Sequence, residues 1–246
     1  MTARSSAARV LLGPAIAAAL CFALLVGLGV WQLQRLAWKE AILARIDARV
    51  HAQPQPVPAR KDWASLRPAD YDYQPVSLRG VYDPRREALI FRPAAPAGLA
   101  QGPGYTVVTP MTLDGGGVVL VNRGFAPLAW LDGLRTSPPA GETTVTGLMR
   151  PPEDRNAFTP ADTPAKGVWY TRDPASMAAA LGLADVAPFV IDAAPQGGET
   201  GWPRPGATEI AIPNNHLSYA LTWFGLAAAL VGVFAVWARS RLRAAQ

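Results

Sequence analysis

Residues Val10–Val30 read VLLGPAIAAALCFALLVGLGV, and Leu217–Ala238 read LSYALTWFGLAAALVGVFAVWA. The first run lies in a stretch of 25 uncharged residues between Arg9 and Arg35, the second in 29 uncharged residues between Glu209 and Arg239. A helix rises about 1.5 Å per residue, so roughly 20 residues cross a bilayer core of about 30 Å. Backbone groups in lipid must satisfy one another, which makes each run a helix. Trp31-Gln-Leu-Gln-Arg35 carries no small-x-small cleavage site, so the first run reads as an anchor rather than a removable leader.

The 246 residues hold 23 basic and 18 acidic side chains, a formal net charge of +5. Arg4, Arg9, Arg239, Arg241 and Arg243 account for the whole excess, and the segment between the apolar runs is neutral. A nucleic-acid groove is therefore not expected despite the high pI. With 50% apolar residues, intrinsic disorder is a poor description. Cys21 is the only cysteine, which excludes an internal disulfide, a paired-cysteine metal site and a CxxCH haem attachment. Leu20 before it is too large for a lipoprotein cleavage site, so Cys21 reads as a small apolar residue of the anchor.

Arg239, Arg241 and Arg243 follow the second run closely, which predicts a cytoplasmic C-terminus. Two spans put both termini on one side and the centre on the other. Arg35, Lys39, Arg45 and Arg49 after the first span argue the opposite way, but a long translocated segment tolerates charge.

The layout that follows is a cytoplasmic tail over 1–9, a first span over 10–33 and an amphipathic stalk over 34–50. A Pro-rich linker over 51–70 leads to a β-rich domain over 71–195. A Gly/Pro-rich return over 196–215 precedes the second span, 216–238, and a basic tail, 239–246. Leu36, Lys39, Leu43, Ile46 and Val50 supply the stalk's three- and four-residue spacing.

Seven short β-rich segments bounded by Pro and Gly are predicted near 74–82, 88–92, 105–112, 118–123, 143–150, 168–170 and 189–192. Leu113-Asp-Gly-Gly-Gly reads as a hairpin connection. Asp173-Pro174 and Gly182 bracket one short helix. The predicted fold class is an α+β membrane protein in which two helices flank a small antiparallel barrel or sandwich.

No phosphate loop, GxSxG or HExxH is present, and the acidic residues scatter through turns, so no enzyme is predicted. On helices, Trp31, Arg35 and Trp38 share one face near the end of the first span. His216, Tyr219 and Trp223 share another at the mouth of the second. An imidazole, aromatic walls and a guanidinium would suit a haem at a membrane edge. Equally, Trp, Tyr and Arg are the ordinary furniture of membrane interfaces. His51 reads as a solvated surface residue. Asn122 and Arg123, at the end of a strand, read as bracing for neighbouring loops, as a docking surface for a partner, or as a propionate contact, Arg123 being the alternative to Arg35 for that charge.

Seven strings, in order, carry a resemblance. They are Gly29-Val-Trp-Gln-Leu-Gln-Arg-Leu-Ala-Trp-Lys39, Leu78-Arg-Gly-Val-Tyr82, Gly104-Tyr-Thr-Val-Val-Thr-Pro110, Val121-Asn-Arg-Gly-Phe-Ala-Pro127, Gly147-Leu-Met-Arg150, Trp169-Tyr-Thr-Arg-Asp173 and Asn214-Asn-His-Leu-Ser-Tyr-Ala-Leu-Thr-Trp-Phe224. Together with the two spans they resemble the surfeit locus protein 1 family of membrane-anchored assembly factors for cytochrome c oxidase. The resemblance implies transient binding of haem a, with His216 as iron ligand and Arg35, Trp31, Tyr219 and Trp223 around it. It also implies partners: the oxidase core subunit, haem-a biosynthesis and assembly factors, and the bilayer. Asn122, Arg123, Trp38 and Asn215 are the candidate partner contacts. A bacterial inner membrane with a periplasmic domain is the implied location. In the alternative reading the protein is a structural chaperone that holds the core subunit and binds no haem.

Overall fold

The computed structural model describes residues 2–96, 98–99, 102–131, 133, 136–197, 201–206 and 214–244. Residues 207–213 of the expected return linker, Glu209 among them, lie outside the described residues. So do Met1 and residues 245–246 of the two tails. The chain divides into two units, a helical one (1–45 with 211–246) and a sheet-rich one (46–210).

The helical unit contains most of α1 (Thr2–Val50) and all of α4 (His216–Ala244). Both are long and apolar enough to cross a membrane, and in their most apolar windows 0% and 11% of residues are buried. Leu20, Leu24, Leu221, Val233 and Val236 are each more than 60% exposed. Apolar surface on that scale is stable against lipid and unfavourable against water. What is buried runs along one seam. Gly29, Gln32, Ala220 and Ala227 are covered, and a Cβ built at Gly29 would stand 2.7 Å from the Phe224 ring. Gly29 leaves room for that ring, and packing of this kind is what associates helices in lipid, where hydrophobicity supplies no drive.

α1 runs unbroken through the predicted span and stalk, and Gln53-Pro-Gln-Pro follows its end. Its last turn is tied down in the sheet-rich unit, where the Arg49 guanidinium donates to the carbonyls of Asp72 (2.8 Å) and Ala69 (3.3 Å). The Pro-rich segment over 51–70 carries short elements of its own. Residues Gln55–Pro56 form β1, and a 3₁₀ turn, Arg60–Ser65, is followed by α2, Pro68–Tyr71. Trp63 is buried edge-on to Phe189 at 6.0 Å, its Nε1–H donating to the Pro58 carbonyl at 2.9 Å. The proline run reads as spacer, yet one buried indole is enough to draw it onto the domain.

The remaining elements are β2 (Pro75–Tyr82), β3 (Ala88–Arg92), β4 (Gly104–Leu113), β5 (Val118–Pro127), β6 (Glu142–Arg150), β7 (Val168–Trp169), α3 (Pro174–Ala180) and β8 (Val186–Ala193). All seven predicted strands are present within a few residues of their expected bounds. The Asp-Gly-Gly-Gly hairpin joins β4 to β5, with the Leu113 and Gly117 amide and carbonyl paired across it. Asp173 caps α3, its Oδ1 accepting from the amides of Ala175 and Ser176.

Among the described residues the strands form an eight-stranded sheet, in the order β1-β2-β6-β8-β5-β4-β3-β7. The antiparallel part of the expectation is corrected: β5–β8, β3–β7 and β1–β2 are parallel, so the sheet is mixed. β8 arrives after a long connection through β6, β7 and α3, and a connection of that length lets a strand enter in either direction. The far end of β2 also pairs with β4, Gly80 opposite Leu113 and Tyr82 opposite Met111.

Side chains alternate between two buried faces. Val119, Val121, Phe189 and Ile191 join Met111, Met149, Trp63 and Tyr71 in one cluster. Leu120 and Val190 point the other way, onto Trp169 and Met177. Period-two alternation with both faces apolar makes a central strand read as a continuous hydrophobic run.

Candidate functional site

His216 is the first residue of α4, and the Asn215 carbonyl before it accepts from the Tyr219 amide at 3.2 Å. The His216 Nδ1 stands 2.7 Å from the Oε1 of Gln32, on α1. Gln32 is 9% exposed, a buried amide within an apolar helix. Burial without a partner would cost this amide a few kcal/mol, about 1–3 on mutational scales, so the imidazole is the partner the site requires. The imidazole is itself half-buried.

The other expected residues fall into three settings. Trp223 is half-buried on the seam face of α4, while Tyr219 is 56% exposed on its flank. Trp31 and Trp38 are 50% and 52% exposed on α1. Arg35 stacks on Trp38, its guanidinium 4.4 Å from the ring centroid. The side chain that joins α1 to His216 is thus Gln32, one residue on from Trp31, and the Trp31–Arg35–Trp38 stripe lies beside the seam. Asn215 is exposed. Gln32 escaped notice because Gln34 is equally polar in the sequence. Its helical phase could have found it: Gly29 and Leu36, at i−3 and i+4, mark the same face.

Asn122 and Arg123 are engaged inside the sheet-rich unit. Asn122 Nδ2 donates to Asp192 at 2.7 Å, and its Oδ1 accepts from the Gly124 amide at 2.8 Å. The Arg123 guanidinium donates to Glu87 at 2.9 Å and to the Thr136 carbonyl at 2.8 Å. Burial pushes the neighbouring Tyr82 hydroxyl up to about 12, with Arg123 pulling it down against that. Of the two sequence readings of this pair, the local one describes their contacts.

Beside Asn122 a cleft of about 350 Å³ is lined by Arg92, Arg150, Arg172, Glu153 and Asp192. Glu153 receives Arg92 at 3.1 Å, Arg172 at 3.2 Å and the Arg172 amide at 2.9 Å. Burial pushes this carboxyl up, but the two guanidinium groups and the amide together hold it below its ordinary value. A carboxylate with a depressed folded pKa stabilises the protein fully above its unfolded pKa, about 4.5, and that contribution is lost as pH falls through the folded value. Thermal melts between pH 7 and pH 3 should therefore show a steep acid loss of stability. Glu153→Gln should be about 2 kcal/mol less stable at pH 7, with a flatter acid limb. Parallel acid limbs would disprove the assignment.

Comparison with known proteins follows the same residues. The SURF1 family profile aligns with residues 19–228, a range that contains α1 from within its apolar run, the whole sheet and the His216 turn. Surfeit locus protein 1 of Mus musculus is 38% identical over 216 residues, 82% of this chain and 68% of that protein. The Homo sapiens protein of the same name is 36% identical over 217 residues, covering 82% and 70% respectively. A SURF1-like protein of Monosiga brevicollis is 34% identical over 215 residues, covering 82% and 78%. With the profile spanning most of its length and relatives above one-third identity, this chain belongs to the SURF1 family.

Proposed function

We propose that this chain is a cytochrome c oxidase assembly factor, the role family membership implies, and that it binds haem a at the membrane edge through His216. The observation that carries the haem reading is the held imidazole. A ring fixed through one nitrogen by a buried amide offers its other nitrogen as a donor, and this donor set fits a haem iron. Arg35 supplies a cation for a propionate, and Trp31, Tyr219 and Trp223 supply apolar walls. The tail of haem a is a long hydrocarbon chain, and exposed apolar helices give it a place out of water. When bound, the haem would supply an iron that the imidazole of His216 would hold through its free ring nitrogen. The chain's own part is to present that nitrogen and to release the cargo to the oxidase core subunit. One protein ligand on an open surface suits release better than a closed two-ligand cage. Both termini are assigned to the cytoplasm of a bacterium and the sheet-rich domain to its periplasm, following the arginine cluster after α4.

A second reading also has an observation behind it. Trp31, Trp38 and Tyr219 are half exposed or more, which is surface available to another membrane protein, and a chaperone holding the core subunit would use it without haem. The two are separated by purifying the protein in detergent, free of oxidase subunits, from cells that make haem a. Near-stoichiometric haem is expected in the wild type, with a loss of at least tenfold in His216→Ala. Equal haem content in the two would reject the ligand assignment, and no haem in either would favour the chaperone.

A further inference from the structure

We propose that Gln32 is a positioning residue that fixes the tautomer of His216, so that Nε2 is the nitrogen presented for ligation; this rests on the haem reading above. The Oε1 atom of a glutamine only accepts hydrogen bonds, so the ring nitrogen 2.7 Å from it must donate. A neutral imidazole carries one proton, and placing it on Nδ1 leaves the lone pair on Nε2.

Three further features support the assignment. Gln32 is buried at 9% exposure, so its carbonyl has little water to fall back on. One turn from each member of the pair the helices are packed: Gly29 lies against the Phe224 ring and Ala220 is buried. Finally, an amide orients the ring without adding charge. A glutamate in its place would make the imidazole a stronger donor and add a buried anion to an apolar helix. A neutral partner therefore suits a carrier that must let go.

The rival arrangement turns the amide over, so that its NH₂ group donates to Nδ1 and the proton moves to Nε2, which blocks ligation. Nitrogen-15 NMR of the full-length, haem-free protein in detergent separates the two. The chain has only two histidines, and His51→Gln leaves a single ring to observe. In that background Nδ1 should resonate as the protonated nitrogen and Nε2 as the bare one. Gln32→Leu should shift the ring toward the Nε2–H form that an unpartnered histidine favours, whereas Gln32→Glu, which still accepts at the same place, should keep Nδ1–H. Titration with haem a should show affinity at least tenfold weaker for Gln32→Leu than for the wild type, with a smaller loss for Gln32→Glu.

A wild-type ring protonated at Nε2, a ring unchanged by Gln32→Leu, or equal haem affinity in Gln32→Leu and wild type would each overturn the proposal. If the rings behave as stated but neither protein takes up haem, Gln32 still sets the tautomer and the haem reading is what fails.

Discussion

Gly124→Ala is expected to destabilise the sheet-rich domain by about 3–5 kcal/mol, the largest effect of any single methyl group here. Gly124 has φ +114°, in the region that L side chains rarely adopt. A methyl group built on it would overlap the Arg204 carbonyl. That carbonyl cannot step aside, because it accepts from the Phe125 amide at 3.0 Å while the Arg204 amide donates to the Phe125 carbonyl at 2.9 Å. Backbone strain of about 1–3 kcal/mol therefore adds to an overpacking term of similar size. Against a typical total of about 5–15 kcal/mol this is a large fraction. Thermal melts of the detergent-purified variant should show a midpoint lower by about 10 °C or more. An unchanged midpoint would mean that the segment carrying Arg204 does not pack on β5 as described.

The second large effect is Trp169→Ala, also about 3–5 kcal/mol. Trp169 is fully buried among Ala88, Ile90, Leu120, Met177 and Val190, and its Nε1–H donates to the Ser176 hydroxyl on α3 at 3.2 Å. Truncation removes the contacts that hold α3 on the sheet and leaves a cavity that well-packed neighbours cannot close. Trp169→Phe fills most of the volume and should cost about 1–2 kcal/mol, with the Ser176 hydroxyl unpaired. Chemical denaturation of the two variants should rank them in that order. Equal stabilities would show that the hydrogen bond rather than the packing carries the interaction.

Both residues sit in strings that carry the family resemblance, and the structure assigns those strings mainly to folding. In Trp169-Tyr-Thr-Arg-Asp173 the indole packs, the Thr171 hydroxyl accepts from Arg155 at 3.1 Å, Arg172 pairs with Glu153, and Asp173 caps α3. In Val121-Asn-Arg-Gly-Phe125 the valine and the phenylalanine are buried, Asn122 bonds at both ends, and Gly124 admits the returning chain. The Asn214–Phe224 string is different, because its histidine reaches across to the other helix.

Local rules were enough for the elements. Two uncharged apolar runs specify helices wherever they end up, since their length and the cost of unpaired backbone in lipid leave no alternative. Pro, Gly and Asp punctuate the strands and the α3 cap by their own φ preferences and hydrogen-bonding reach, and those act within a few residues. His216 stood out as one of two histidines, at the start of a span. Strand direction and partner were beyond such rules, because a strand's sequence records which faces are buried and not which neighbour buries them. That β8 lies parallel to β5 was illegible for that reason, and β1 was hidden in a proline run near the buried Trp63. The partner of His216 was likewise decided by packing: Gln32 and Gln34 are alike in composition, and only the fold buries Gln32 against the ring while Gln34 stays exposed.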